Sequence, residues 1–92
     1  MDTRLAVMAI VVENPDSVTE LNELLHNFSD YIIGRMGIPH QKRNCSLISV
    51  EIDAPADVIN NLSGKIGKIN GVTSKVALPI QKYKKRRKEC IT

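Results

Sequence analysis

The sequence contains the same change from a strand pattern to a helix pattern twice. Residues 4–12 form an apolar run rich in β-branched types, and Asn14-Pro15 follows it at once. Residues 45–52 alternate between apolar and polar types, and the segment Asp53-Ala54-Pro55 follows them in the same way. Asn and Asp favour the position before a helix, and Pro favours its first turn. The chain is therefore predicted to contain two strand–helix–strand halves.

Both segments that follow these transitions have the 3.6-residue period of an amphipathic helix. Pro15 and Pro55 occupy matching places in the two halves, and so do Val18 and Val58. The apolar stripe of the first helix is Val18, Leu21, Leu25 and Phe28, and that of the second is Val58, Ile59, Leu62, Ile66 and Ile69.

The remaining segments predict the other strands. Residues 31–38 form a second strand, residues 39–44 a polar hairpin loop, and Asn70-Gly71 a turn into a last strand at 72–80. The apolar residues on both faces of 4–12 predict a central strand covered on both sides. The βαββαβ order predicts an α+β, ferredoxin-like sandwich, in which two helices lie on one face of a four-stranded antiparallel sheet.

The length of 92 residues predicts one domain at 1–80, followed by a basic, disordered tail at 81–92. So short a domain buries only about 60% of the surface of its unfolded chain. We therefore expect it to associate with itself, as a dimer or tetramer. The expected contacts are the strand with Tyr31, Ile33 and Met36 or the helix with Gly64 and Gly67.

Cysteine content and hydropathy predict a cytoplasmic protein. The chain has two cysteines, fewer than the disulfide framework usual in small secreted domains. The apolar run Leu5–Val12 is less than half of the ~20 residues that a membrane helix needs. It also lacks the cleavage site of a signal peptide.

The net charge of +3 is divided unevenly along the chain. Residues 82–92 hold six basic residues and one acid, which gives +5, whereas residues 1–81 hold seven basic residues and nine acids, which gives −2. The tail could neutralise phosphates and bind nucleic acid without sequence preference, or it could be a solubilising end. Its basic residues are Lys82, Lys84, Lys85, Arg86, Arg87 and Lys88.

The segment Gly34-Arg35-Met36-Gly37 is the most unusual part of the sequence. Two glycines in one strand weaken it and are typical of a bulge or a close backbone approach. They could open a slot beside Arg35, whose planar fork suits a carboxylate or phosphate. Alternatively, the strand is a bulged edge that packs on its copy in a dimer. A ligand slot and a packed edge strand could both be present at a subunit boundary.

A second glycine-containing segment, residues 63–68, lies late in the second helix. It lacks the glycine spacing of a phosphate loop, and no Ser or Thr follows Lys65. Close helix packing or early fraying of the helix explains Gly64 and Gly67. The alternative is a contact of Ser63, Gly64 and Lys65 with an effector.

Three stretches resemble the family of iron-only hydrogenase system regulators. They are Asp30–Pro39, then Leu47–Val50 with Asp53–Pro55, and then Leu62–Gly67 with Gly71-Val72. The resemblance covers residues 1 to about 80 and leaves the tail outside. The family is similar in fold to ACT-type regulatory domains and to the sensor domain of nickel-responsive repressors. ACT-type domains pair through sheet edges or helices and bind small effectors at the subunit boundary.

His40 and Cys45, on either side of the predicted hairpin loop, are the only two residues close enough to bind a metal together. The nickel repressors use His and Cys ligands in this neighbourhood. The spacing differs in this chain, and Ile38 stands where a further His would be needed. Four ligands would require a symmetric interface. We expect a solvated His and a half-buried Cys, and no metal site.

The sequence predicts a regulator and no enzyme. It contains no pairing of nucleophile and base, and Glu20 and Glu23 lie on the solvent face of the first helix. The resemblance implies a regulator of hydrogenase genes that senses a small effector at a subunit interface, and the Arg35 fork favours an anionic effector. No helix-turn-helix or ribbon-helix-helix segment precedes the first strand, so control of transcription would use the tail, an unusual surface or another protein. The alternatives are a nucleic-acid-binding protein that acts through its tail and an oligomerisation domain without a ligand. The sequence identifies no cofactor.

Overall fold

The computed structural model describes residues 2–78 and has the predicted βαββαβ order. Short 3-10 turns precede the first helix and flank the second strand. Neither helix in these residues has the length and apolar character needed to cross a membrane. The elements are β1 Arg4–Val12, α1 Val18–Asn27, β2 Ile32–His40, β3 Cys45–Ala54, α2 Ala56–Gly67 and β4 Val72–Ala77.

The four strands form one antiparallel sheet in the order β2-β3-β1-β4. β1 is central, because Met8 pairs with Val50 of β3 on one side and with Val76 of β4 on the other. Both helices pack on the same face of this sheet. The predicted ferredoxin-like α+β fold is confirmed.

The hydrophobic core lies between the helices and alternate residues of the central strands. The predicted helix stripes are confirmed, with Val18, Phe28 and Val58 packed at the margin of the core. The buried core residues are Ala6, Met8, Ile10, Val12, Leu21, Leu25, Ile48, Val50, Ile52, Ala54, Ile59, Leu62, Ile66, Ile69 and Val72.

The opposite face of the sheet, called the open face below, is uncovered within residues 2–78. The prediction that β1 is covered on both sides is therefore wrong for the single chain, because the helices lie on one face only. Six large apolar side chains, on this face or at its edge next to α1, are between 45% and 63% exposed: Leu5, Val7, Ile33, Met36, Ile38 and Leu47.

The two helix starts differ, although the sequence predicts the same signal at both. Asn14 accepts a hydrogen bond from the backbone N–H of Asp16 at 3.1 Å, which confirms it as a cap. A 3-10 turn at Pro15–Ser17 then leads into α1. The prediction that Asp53 marks the start of the second helix is wrong, because Asp53 is part of β3 and pairs with Leu5. α2 begins after Pro55 without a side-chain cap.

Two element boundaries also differ from the predictions. β2 continues through Pro39 and His40, which were assigned to the hairpin loop, because they pair with Ser46 and Cys45. The loop is thus shorter and closes at Asn44, whose φ of 55° is left-handed. The last described strand ends at Ala77, and the predicted end at 80 lies outside the described residues.

The turn before β4 is tied to the end of β1. Gly71 has a φ of +74°, and a Cβ built on it would lie 2.6 Å from the Cβ of Asn14. The Gly71 carbonyl accepts a hydrogen bond from the Glu13 N–H at 2.7 Å. Nearby, the buried Ser17 hydroxyl donates to the Asn70 carbonyl at 2.6 Å. This close approach explains why a glycine stands at position 71.

We predict that Gly71→Ala lowers the free energy of unfolding by about 1–3 kcal/mol, because it adds a strained left-handed residue and a clash with Asn14. Urea unfolding measures the change. The matched control is Gly64→Ala inside α2, where the new Cβ has no atom within 4 Å. This control should raise stability by about 0.5–1 kcal/mol, as expected for an exposed helix position. Equal effects of the two substitutions would contradict the assigned role of Gly71.

Candidate functional site

The edge strand β2 contains the bulge that its glycines predict. The register with β3 shifts between Ile32, which pairs with Ile52, and Gly34, which pairs with Glu51. Ile33 is the extra residue. A close backbone approach is not present, because a Cβ at Gly34 or Gly37 would make only ordinary contacts, at 3.6 and 3.8 Å.

The four residues predicted as a ligand segment do not all lie on one face of the sheet. Arg35 and Gly37 are paired with Val50 and Ile48, whose side chains are buried under the helices. Gly34 and Met36 belong to the open face, because cross-strand partners share a face and residues alternate along a strand. Arg35 therefore lies on the helix side, and Met36 lies on the other.

Arg35 is held by α1. Its Nη2 donates a hydrogen bond of 2.7 Å to the Oδ1 of Asn22, and the contact is exposed. This bond uses one of the five N–H groups of a guanidinium. Arg35 makes no second hydrogen bond or ion pair among residues 2–78. The side chain is thus positioned while most of its donors point toward solvent.

A polar groove open to solvent lies on the outer face of α1, beside the Arg35 contact. The groove is shallow, and the space of about 740 Å³ that it borders includes open solvent. Asn22 lines it together with acidic, imidazole, amide and hydroxyl groups. The lining residues are Thr19, Asn22, Glu23, His26 and Asn27.

The α2 part of the predicted ligand site is separate from Arg35. Ser63 is half-buried, and Gly64 is exposed. The Nζ of Lys65 lies 5.9 Å from the centroid of the Phe28 ring at the end of α1. No hydrogen bond within residues 2–78 links this segment to Arg35. The two halves of the predicted ligand site therefore have no direct link in the single chain.

The glycines of α2 do not pack closely against the rest of the chain. A Cβ at Gly64 or Gly67 would have no atom of residues 2–78 within 4 Å, so close packing among these residues does not explain the two glycines. Gly67 is the last residue of α2, which agrees with the other explanation, an early end of the helix.

His40 and Cys45 are direct cross-strand partners at the end of the β2–β3 hairpin. His40 is exposed, and Cys45 is a half-buried free thiol, as expected. Within residues 2–78, no group of three or more His, Cys, Asp or Glu side chains could hold a metal ion. The pair borders an open pocket between the hairpin and the start of α1, with about 360 Å³ of space that includes open solvent.

Sequence reasoning missed the role of Asn22. Asn22 is one of several polar residues on the solvent face of α1, and its contact with Arg35 depends on how α1 lies against β2. No local pattern distinguishes it from its neighbours. The six basic tail residues from Lys82 to Lys88, predicted to bind nucleic acid, lie outside the described residues.

Comparisons with known proteins agree with the fold and identify a family. Residues 4–76 match the family model described as "TM1266-like: Iron-only hydrogenase system regulator, putative". The solved structure of the uncharacterized protein TM1266 from Thermotoga maritima is 36% identical, with a TM-score of 0.82. The alignment covers 86% of this chain and all of that one.

A second solved structure, a formyltetrahydrofolate deformylase from Pseudomonas putida KT2440, has a TM-score of 0.60 at 12% identity. That alignment covers 82% of this chain but 29% of the deformylase, so it supports the fold alone. No curated protein matches the sequence. The family match spans most of the chain and agrees with the structural similarity to TM1266, and the chain therefore belongs to the TM1266-like family of iron-only hydrogenase system regulators.

Proposed function

We propose that the chain is a non-catalytic, cytoplasmic regulatory domain that acts on transcription in an iron-only hydrogenase system. In this proposal it senses a small anionic effector at a boundary between subunits. Family membership supports the regulatory role and the link to hydrogenase. The position of Arg35 supports the anionic effector.

The Arg35–Asn22 hydrogen bond is the observation that carries the effector proposal. An arginine fork binds carboxylate or phosphate through two parallel N–H···O bonds, which gives both charge and geometry. The 2.7 Å bond to Asn22 fixes the guanidinium at the edge strand, so less side-chain freedom is lost when an anion binds. The groove on α1 that Asn22 lines provides space beside it.

The edge position of β2 supports a site at a subunit boundary. Arg35 on the helix side and Met36 on the open face are adjacent in one strand, beside a bulge. In this proposal, an anion bound by Arg35 while Asn22 holds the guanidinium acts through the peptide unit that Arg35 shares with Met36. Binding would then change how copies of the chain meet.

We predict that Arg35→Lys weakens binding of an anion by about 10-fold or more, because Lys keeps the charge but loses the two-point fork. Inorganic phosphate is the probe, and NMR titration of the Asn22 and His26 amides measures its affinity. Native mass spectrometry of protein isolated from its own cells then identifies any retained anion.

The matched control for this titration is Arg43→Lys. Arg43 is exposed in the 3-10 turn Gln41–Arg43, at the far end of β2, and the substitution makes the same chemical change. It should leave phosphate affinity unchanged. Equal affinity of Arg35→Lys and the parent would contradict the role of Arg35. Equal losses in both variants would show that phosphate responds only to general surface charge.

The division of charge favours a second candidate function, nucleic-acid binding through the tail. Residues 82–92 have a formal charge of +5, and residues 1–81 have −2. A regulator of transcription could therefore contact phosphates through this segment without a separate DNA-binding domain.

We predict that a version ending at Gln81 keeps its fold but loses binding to duplex DNA, because its net charge of −2 is repelled by phosphate. Binding by the full chain should fall with salt, with a logarithmic slope of about 0.9 per phosphate contacted. Fluorescence anisotropy and circular dichroism measure the two properties. Undiminished DNA binding by the shortened chain would place the basic surface elsewhere, at Lys65, Lys68 and Lys75.

A further inference from the structure

The open face of the sheet is the largest feature of residues 2–78 that the proposed function leaves unexplained. Antiparallel sheets with one wet face usually alternate between apolar and polar residues. β1 does not, because every residue from Leu5 to Val12 is apolar. The residues of β1 that point away from the helices are Leu5, Val7, Ala9 and Val11, of which Leu5 and Val7 are about half exposed.

The neighbouring strands extend this apolar surface. Leu47 is paired with Val11 on one side and with Ile38 on the other, so the three side chains form one row across β1, β3 and β2. The next row contains Met36, with the small residues Ser49 and Ala9 beside it. Monomeric proteins rarely expose continuous apolar areas of this kind unless they bind something.

We propose that a second copy of this chain covers the open face, with the two sheets packed face to face. This extends the proposed function by naming its subunit boundary. Its test needs no effector, so the two proposals can fail separately.

The area of the open face is suited to a dimer. Four strands ~4.8 Å apart and a nine-residue β1 with a rise of ~3.4 Å per residue give a face of about 19 by 30 Å. The projected area is then about 570 Å², and the accessible area is larger because side chains stand out from the sheet. Stable interfaces bury about 600–1,000 Å² on each partner.

The charges on this face also favour a symmetric pair. The charged partners of the β1 residues on this face are Asp53, opposite Leu5, Glu51, opposite Val7, and Lys75, opposite Ala9. Two acids and one base on a self-paired surface allow opposite charges to meet across a two-fold axis. Asp53 and Glu51 lie in the inner strand β3, and Lys75 lies in the edge strand β4.

Residues 79–92 are poorly suited to cover this face. The segment after Leu78 has 14 residues, and seven of them are charged. Such a composition cannot supply enough apolar side chains to cover the rows described above.

Pairing through the sheet edge is less suited than pairing through the face. The outer strand β2 has a bulge between Ile32 and Gly34, and Pro39 has no N–H to donate. Bulges and prolines are the usual features that block the addition of another strand. The other edge, β4, has only six residues.

The test is sedimentation velocity of the full chain at micromolar concentration, for the parent and for Val7→Lys. The new Lys would face Glu51 across the β1–β3 pair, so the chain keeps a favourable cross-strand contact and its fold. The parent is expected to sediment as a dimer or a larger even assembly. Val7→Lys should raise the dissociation constant by about 100-fold or more, because each copy loses a buried apolar contact and gains an ammonium group that must be desolvated in the interface.

The matched control is Gly64→Lys, which adds the same charge on the helix side, where the position is open. It should sediment like the parent. If Val7→Lys does not fold by circular dichroism, Leu47→Lys replaces it, since Leu47 lies on the same face in β3. A monomeric parent would overturn the proposal, and so would dissociation by Gly64→Lys while the folded open-face variant stays assembled.

Discussion

Two helices can cover only one face of a four-stranded sheet, and the rest of this structure depends on that limit. β1 supplies apolar side chains to both faces from a single run of eight residues, Leu5 to Val12. Met8 and Ile10 are buried beneath the helices, whereas Leu5 and Val7 point the other way. Burial of the first pair stabilises the single chain. The second pair contributes only when another molecule covers it, so folding and assembly draw on alternate residues of the same strand.

The edge strand β2 divides its residues between the two faces in the same manner. Arg35 is bonded to α1 on the helix side, and Met36, the next residue, belongs to the open face. In the proposed function, an effector contact and a subunit contact are therefore one peptide unit apart. The bulge at Ile33 leaves one residue of this strand unpaired and bends the strand beside Arg35 and Met36. Such a strand can link anion binding to assembly without a long path through the core.

The order of elements could be predicted from the sequence because strand and helix periods, prolines and the Asn70-Gly71 turn are local signals. The sequence did not show what covers β1, because an apolar pattern predicts that side chains are buried but does not identify the element or partner that buries them. Asp53 resembles a helix cap, but its pairing with Leu5 keeps it in β3. The Arg35–Asn22 bond depends on the placement of α1 over β2. Contacts of this kind arise from packing, which local patterns do not contain.

The junction of Ser17 and Asn70 joins residues 53 positions apart, and this separation has a consequence for how the chain folds. Closing a long loop lowers the entropy of the chain before the new contact stabilises it, so we expect such contacts to form late. β1 is made first but receives β4 as its neighbour last. Until then one edge of a strand that is apolar on both faces is free to pair with other chains. Nascent or partly folded molecules are thus most prone to aggregate through β1, and rapid arrival of the last strand protects them.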